Sequence, residues 1–316
     1  MRDRLLGKYE IVRMIGQGGS GAVYEAIDPS LDRRVAIKTI PLPPGSDGEL
    51  VKERFGREAR ITASLYHRNI VGIYDFGEQD QSIYLVMEYV DGHSLAHLMA
   101  ETPQAEWWDR FLPVLRECAD AIDYVHHKGI VHGDIKPANI MVQHDGLPKI
   151  LDFGLARIAH QAKTTQQGSI AGTLSYLAPE MLQNEQASPQ ADQYALAVIA
   201  YQLATGVLPV AADSAFALLY KVMGETPTPV GEINPRIPGV VAQAISKALS
   251  KDPAERFQTC MEFLDRISRS GAPASTGEFT RMFHLPEPDA PAQGGWRRTA
   301  AEPPEAGEIT VQLEWS

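Results

Sequence analysis

The change of hydrophobic period at Asp91-Gly92 limits what this chain can become more than any other feature of its 316 residues. Upstream, apolar and polar side chains alternate in "YEIVRMIG", "AVYEAID" and "RRVAIKTI", the two-residue period of strands. The glycine-rich "GQGGSG" joins the first two. "PLPPGSDG" (41–48) predicts a loop, "ELVKERFGREARITASL" a helix, and "IVGIYDFGE" with "QSIYLVMEYV" two further strands. Downstream the steps become three and four. "WWDRFLPVLRECADAIDYVHHKG" sets Phe111, Leu115, Cys118, Ile122 and Val125 on one amphipathic stripe. Later helices are expected at 190–205, 214–223, 238–249 and 258–269. Strands first and helices afterwards predict an α+β fold, a sheet with one helix over the first ninety residues and a mainly helical region after it.

The hydrophobic fraction of 44% is ample for a packed core. After Ser270 it gives way to Pro, Ala, Gly and Glu without a sustained apolar period, so the 270–316 tail is expected to be mostly disordered. The 29 basic and 40 acidic residues give a net charge of −11, which argues against a general nucleic-acid or anionic-membrane binder. Cys118 and Cys260 form neither a CxxC pair nor a disulfide framework, so a reduced, cytoplasmic setting is expected. "MRDRLLGKYEIVRM" carries charges throughout and lacks the apolar run of a signal peptide. The most apolar window, 194–212, is interrupted by Gln202, Thr205, Gly206 and Pro209, which predicts a buried core helix and no membrane span. His126, His127 and Lys128 before Gly129 read as a helix C-terminus, where cations oppose the carbonyl end of the dipole, in preference to a metal site.

Four stretches carry candidate chemistry. "IGQGGSGAV" (15–23) places Gly16, Gly18 and Gly21 in a G-x-G-x-x-G pattern whose bare backbone can approach phosphates. A dinucleotide-binding turn would need a helix after the glycines, and "AVYEAI" is a strand. In "VAIK" (35–38), Lys38 offers a point charge for phosphates, and an inward cation needs an anion such as Glu58 on the following helix. In "IVHGDIKPANIMV" (130–142), Asp134 can accept the proton of a hydroxyl or orient it. Lys136 can neutralise a transferring phosphoryl group, and Asn139 can ligate a divalent ion. "LDFG" (151–154) offers Asp152 as a second oxygen ligand for magnesium.

In this order the motifs resemble the eukaryotic-type protein kinase family, in its bacterial Ser/Thr branch. The likeness runs from about Tyr9 to Ile267 and includes "GTLSYLAPE" (172–180), "ADQYALA" (191–197) and "KDPAERF" (251–257). It implies a bilobal protein-kinase-like fold over 9–269, with a small antiparallel sheet lobe carrying one major helix (about 1–90) and a larger, mainly helical lobe (about 91–269), and an ATP-dependent transfer to Ser/Thr hydroxyls of protein substrates, with autophosphorylation. Magnesium, or manganese in its place, would be held by Asn139 and Asp152. Catalytic roles fall to Asp134, Lys136, Lys38 and Glu58. ATP would lie under Ile15, Gly16, Gln17, Gly18, Gly19, Ser20 and Gly21, with the adenine between Val23, Ala36 and Met141. Met87 resembles the gatekeeper, and the backbones of Glu88 and Val90 the adenine-binding edge. His132 and Phe153 match positions packed in a regulatory spine. Asp192 would brace the catalytic loop, and Glu180 and Arg256 would form a buried ion pair.

Gly133 stands where the family typically has an Arg that pairs with a phosphate on the activation segment. The groups that perform the chemistry are all retained, so the expectation is an active enzyme with altered control, in which Thr164, Thr165, Ser169 and Thr173 remain autophosphorylation candidates. Ala197 replaces a frequent Gly and is the better helix former. Ser94, Ala138 and Gln202 occupy positions where relatives that prefer upstream Arg carry carboxylates, so no such preference is expected. A nucleotide-binding pseudokinase or scaffold is the rival reading, and a small-molecule kinase a third. In the tail, "GEFTRMFHL" (277–285) could dock a partner or fold back onto the kinase, and "EITVQLEWS" could add an edge strand.

Overall fold

Two strands flank Ala36 and Lys38, and their register explains how one sheet acquires two apolar faces. In the computed structural model, which describes residues 5–18, 21–42, 45–153, 174–183 and 187–268, β4 (Arg33–Pro41) lies between β3 (Gly21–Asp28) and β6 (Ser82–Glu88). The antiparallel sheet has the order β1-β2-β3-β4-β6-β5, with β1 at Leu5–Leu6, β2 at Tyr9–Gly18 and β5 at Ile73–Gln79. Val35, Ile37, Ala26, Val86 and Tyr9 pack on one face. Ala36, Leu85 and Met87 face the other way, onto Phe55 and Ala59 of helix α1 (Ser46–Ala63). "VAIK" is therefore buried on both sides, which only an interior strand can be.

The β2–β3 hairpin closes at Gly18 opposite Gly21, with irregular register at Ile11/Arg13 and Met14/Gly16. Gly21 has φ +129, and a Cβ there would lie 1.8 Å from the Thr39 carbonyl oxygen, so no side chain fits. Two boundaries differ from expectation. The loop foreseen over 41–48 gives way to helix from Ser46. Residues 70–72, expected to open β5, instead leave the sheet: Ile70 bridges Ile150 in parallel, and the Val71 N–H donates to the Ile150 carbonyl at 3.1 Å. That contact ties the sheet lobe to the helical lobe.

The helical lobe carries a second sheet that alternation could not reveal, because its strands are too short. It runs β7 (Gly92–Ser94), β8 (Ile140–Gln143) and β9 (Pro148–Ile150), all antiparallel. Helix α2 follows at Leu95–Glu101 and α3 at Trp107–His127, whose stripe from Phe111 to Val125 is fully buried. Each such side chain contributes roughly 1.5–3 kcal/mol. A one-turn helix, α4, spans Pro179–Leu182. Helix α5 (Pro189–Thr205) is the buried helix expected from the apolar window. It starts on a Ser188 side-chain cap to the Ala191 N–H and stops at left-handed Gly206. The lobe is completed by α6 (Ala215–Gly224), α7 (Val230–Ile233), α8 (Gly239–Ala248) and α9 (Cys260–Ser268).

Arg256 closes the bottom of this lobe. Its guanidinium, with no exposed side-chain surface, meets both Glu180 oxygens at 2.7 and 2.9 Å and also donates to the Ser250 and Gln190 carbonyls. The 277–285 and 308–316 stretches of the tail lie outside the described residues.

Candidate active site

The catalytic loop follows α3 and is fixed from beneath by α5. Asp192, on the first turn of α5 and 1% exposed, accepts the N–H of His132 at 2.8 Å on one oxygen and the N–H of Gly133 at 2.8 Å on the other. Each carboxylate oxygen thus orients one of the two residues before Asp134, and Oδ2 also meets His126 Nε2 at 2.8 Å. Gly133 has φ +74, a left-handed conformation costing a side-chain-bearing residue about 1–2 kcal/mol. A glycine suits that backbone irrespective of any phosphate.

His132 is fully buried and carries its own orientation signal. The N–H of Asp134 donates to its Nδ1 at 3.1 Å, so Nε2 carries the proton and donates to the Leu151 carbonyl at 2.8 Å. Its ring lies 4.6 Å from that of Phe153. The imidazole therefore joins the catalytic loop to the residues that carry Asp152, and it has no nitrogen left for a reactant.

Asp134, Lys136 and Asn139 converge. Lys136 Nζ reaches Asp134 Oδ2 at 2.7 Å, and Asn139 Nδ2 donates to the same oxygen at 2.9 Å and to the Asp134 carbonyl at 2.8 Å. Asn139 also accepts the Leu151 N–H on its own carbonyl at 2.9 Å. One residue thus couples the loop to the segment after β9 that carries Asp152. Asp152 has φ +62, a conformation that Asp tolerates better than most residues. Its Oδ2 meets Lys38 Nζ at 2.6 Å, and Lys38 as a residue is buried. Glu58, the partner expected for Lys38, stands on α1, but its side chain lies outside the described residues.

The remaining candidates come from both lobes. Val23 opposes Lys38, and Ala36 opposes Met87. Ala36, Met87 and Val90 share an apolar cluster with Met141 and Leu151 of the other lobe. Ile15, Gly16 and Gln17 lie on β2, with Gly16 opposite Val23. Gly19, Ser20, Gly154, Gly172, Thr164, Thr165, Ser169 and Thr173 lie outside the described residues. The Glu88 N–H is bonded to the Gly72 carbonyl at 2.8 Å. Its carboxylate meets Lys149 at 2.7 Å, a lobe-to-lobe ion pair that sequence reasoning missed. Sixty-one positions separate its members, and neither stands in a recognisable motif.

Such a site has the parts for phosphoryl transfer. Asn139 turns its amide nitrogen toward Asp134, which puts the amide oxygen on the opposite side. An amide oxygen and a carboxylate, as Asn139 and Asp152 carry them, are the kind of hard donor that magnesium prefers. The residues present therefore fit the ion.

Comparison with known proteins follows the same line. The protein kinase domain matches residues 9–266. The chain is 40% identical over 258 residues to the serine/threonine-protein kinase PrkC of Bacillus subtilis, covering 81% of this chain and 39% of that protein. It is 38% identical over 269 residues to PknA of Mycobacterium tuberculosis, covering 84% and 61%. The chain thus spans less than two thirds of the length of either relative. Among solved structures, the PknI kinase domain of Mycobacterium tuberculosis superposes with a TM-score of 0.66 at 28% identity, covering 86% of this chain and 99% of that one.

Proposed function

The chain belongs to the protein kinase domain family, and from that premise we propose that it is an ATP-dependent protein serine/threonine kinase acting on Ser and Thr hydroxyls of protein substrates, its own included. The observation that carries the reading is the link from Asp134 through Asn139 to the Asp152–Lys38 pair.

Asp134 accepts the proton of the substrate hydroxyl as its oxygen bonds to the γ-phosphorus and the bridge to the β-phosphate breaks. Lys136, already 2.7 Å from Asp134, neutralises charge on the transferring group. Lys38 serves the α- and β-phosphates. Magnesium, or manganese, when bound by Asp152 and Asn139, draws charge from the phosphate oxygens. With its N–H committed to Gly72, Glu88 has its carbonyl to offer the adenine, and the Val90 backbone supplies the complementary group. Ala36, Met141 and Val23 enclose the ring.

The reading is tested on the full chain with labelled ATP, magnesium and a general protein acceptor. Asp134→Asn should lower transfer by about 10²–10⁴-fold while nucleotide binding persists. Wild-type protein that binds nucleotide and transfers nothing would favour a scaffold instead.

Control and selectivity follow from the same residues. Gly133 offers no side chain to an activation-segment phosphate, so protein made with a phosphatase should work without a lag. A long lag removed by prior phosphorylation of the segment would contradict this. Ser94 caps α2 through the His97 N–H, and Gln202 accepts the Tyr176 hydroxyl at 2.9 Å. With Ala138 apolar, these positions give substrate arginines no carboxylate, and a peptide array dominated by upstream Arg would refute that. Among the described residues no helix is long and apolar enough to cross a membrane. Cys118 and Cys260 are free and buried, as thiols in a reducing cytoplasm would be.

A further inference from the structure

A second cluster of chemically active side chains lies on the far side of Asp192 from the catalytic loop. Asp123 and His126 are three apart on α3 and share a face, and Cys260 opens α9. A carboxylate oxygen, an imidazole nitrogen and the thiol sulfur all lie within 4.8 Å of one another. Asp123 is 8% exposed and Cys260 1%, so the cluster is held by packing.

His126 stands in the last turn of α3, at the expected helix stop, and its partners give it a second part. His126 Nε2 meets Asp192 Oδ2 at 2.8 Å, which turns Nδ1 toward Asp123, 3.9 Å from Oδ1. A carboxylate on one ring nitrogen, with the other aimed at further donors, is the outer-shell arrangement of metal-binding histidines. Asp123 accepts the Cys260 N–H on Oδ1 at 2.9 Å and the Met261 N–H on Oδ2 at 2.8 Å, and the Cys260 thiol also hydrogen-bonds this carboxylate, a contact that a metal–thiolate bond would replace. Charge points the same way. Among the described residues neither Asp123 nor Asp192 has a Lys or Arg partner, and the two buried carboxylates share one imidazole. A cation in their midst offsets the cost of burying them.

We propose that Asp123, His126 Nδ1 and Cys260 form a zinc site, with water in the fourth position. Thiolate, imidazole and carboxylate are the donors zinc selects, whereas the oxygen pair of the nucleotide cleft suits magnesium. A tetrahedral ion with bonds of about 2.0–2.3 Å needs donors roughly 3.3–3.8 Å apart, so the cluster contracts by no more than about 1.5 Å on binding. The Cys260 S–H bond breaks as the sulfur–zinc bond forms, its proton passes to solvent, and nothing is oxidised. The ion would join α3 to α9 and, through His126 and Asp192, to the backbone of residues 132 and 133.

The test uses the full chain, stripped with a chelator and kept in excess magnesium so that the oxygen site is saturated. Cobalt(II) should produce a thiolate-to-metal absorption in the near ultraviolet that zinc displaces. Zinc should raise the melting temperature and release a proton. Cys260→Ser should abolish the band and weaken zinc binding by more than roughly 100-fold, the upper figure for losing an outer-shell partner alone. If that variant fails to fold, the wild-type cobalt spectrum and proton count decide. No thiolate band in the wild type, or zinc uptake unchanged in folded Cys260→Ser, would overturn the proposal and leave Asp123 as a cap for α9 only.

Discussion

Removing the carboxylate of Glu180 should be among the most damaging single changes outside the cleft. The Arg256 guanidinium would remain fully buried with only carbonyl acceptors at Ser250, Gln190 and, at 3.4 Å, Lys251. Stranding one partner of a buried pair costs about 3–5 kcal/mol, because the remaining charge has neither water nor counter-ion. For a domain of this size each kcal/mol lowers the melting temperature by about 2–4 °C, so Glu180→Ala should melt about 6–20 °C earlier. Arg256→Met should cost a similar amount, since it leaves Glu180 unpaired and takes the donor from the Ser250 and Gln190 carbonyls. Glu180→Ala combined with Arg256→Met should recover much of the loss, since no charge then remains buried. Calorimetric melts and urea titrations of the four proteins would measure the coupling. A single variant within about 1 kcal/mol of wild type, or a double variant as unstable as the sum of the singles, would refute the reasoning.

Gly133→Arg should cost about 1–2 kcal/mol for its left-handed backbone, read as a lower urea midpoint, and should not raise the activity of unphosphorylated protein. Lys149→Met removes the ion pair to Glu88 across the lobes and should weaken nucleotide binding several-fold by calorimetry, with Asp134 undisturbed. Burial pushes the Cys118 thiol well above its usual value and the Tyr194 phenol from 10.0 up to about 12. The folded state therefore keeps protons that the unfolded chain releases, so stability should be intact below about pH 9 and fall progressively above it. Urea midpoints from pH 7 to pH 10.5 would check the sign, and a thiol reagent should label Cys118 only after unfolding.

Elements whose side chains meet one periodic environment were legible in the sequence. β2 to β4, α3 and α5 each span enough residues for the period to declare itself, and their boundaries fall within a few positions of expectation. The β7–β8–β9 sheet was not, because three or four residues cannot establish an alternation and its edges are set by bonds between distant segments. The candidate site divides along the same line. Asp134, Lys136 and Asn139 sit in one motif and meet in space. The Glu88–Lys149 pair and the capping of Cys260 and Met261 by Asp123 join residues 61, 137 and 138 positions apart, where no local pattern exists. Lys38 teaches a narrower lesson: the need for an anion was readable from its burial, but the described partner is Asp152.

Helix α5 is sheathed on nearly every side, and its side chains hold the catalytic loop through Asp192, the approach to α9 through Gln193 and the segment before α7 through Tyr201. No partial opening can release its amides without first dismantling those attachments. In hydrogen exchange its protons should be the last in the chain to leave, at a rate set by global unfolding, while β1 and the solvent side of α6 exchange early. A domain built this way can let its sheet lobe move while the floor beneath Asp134 stays still.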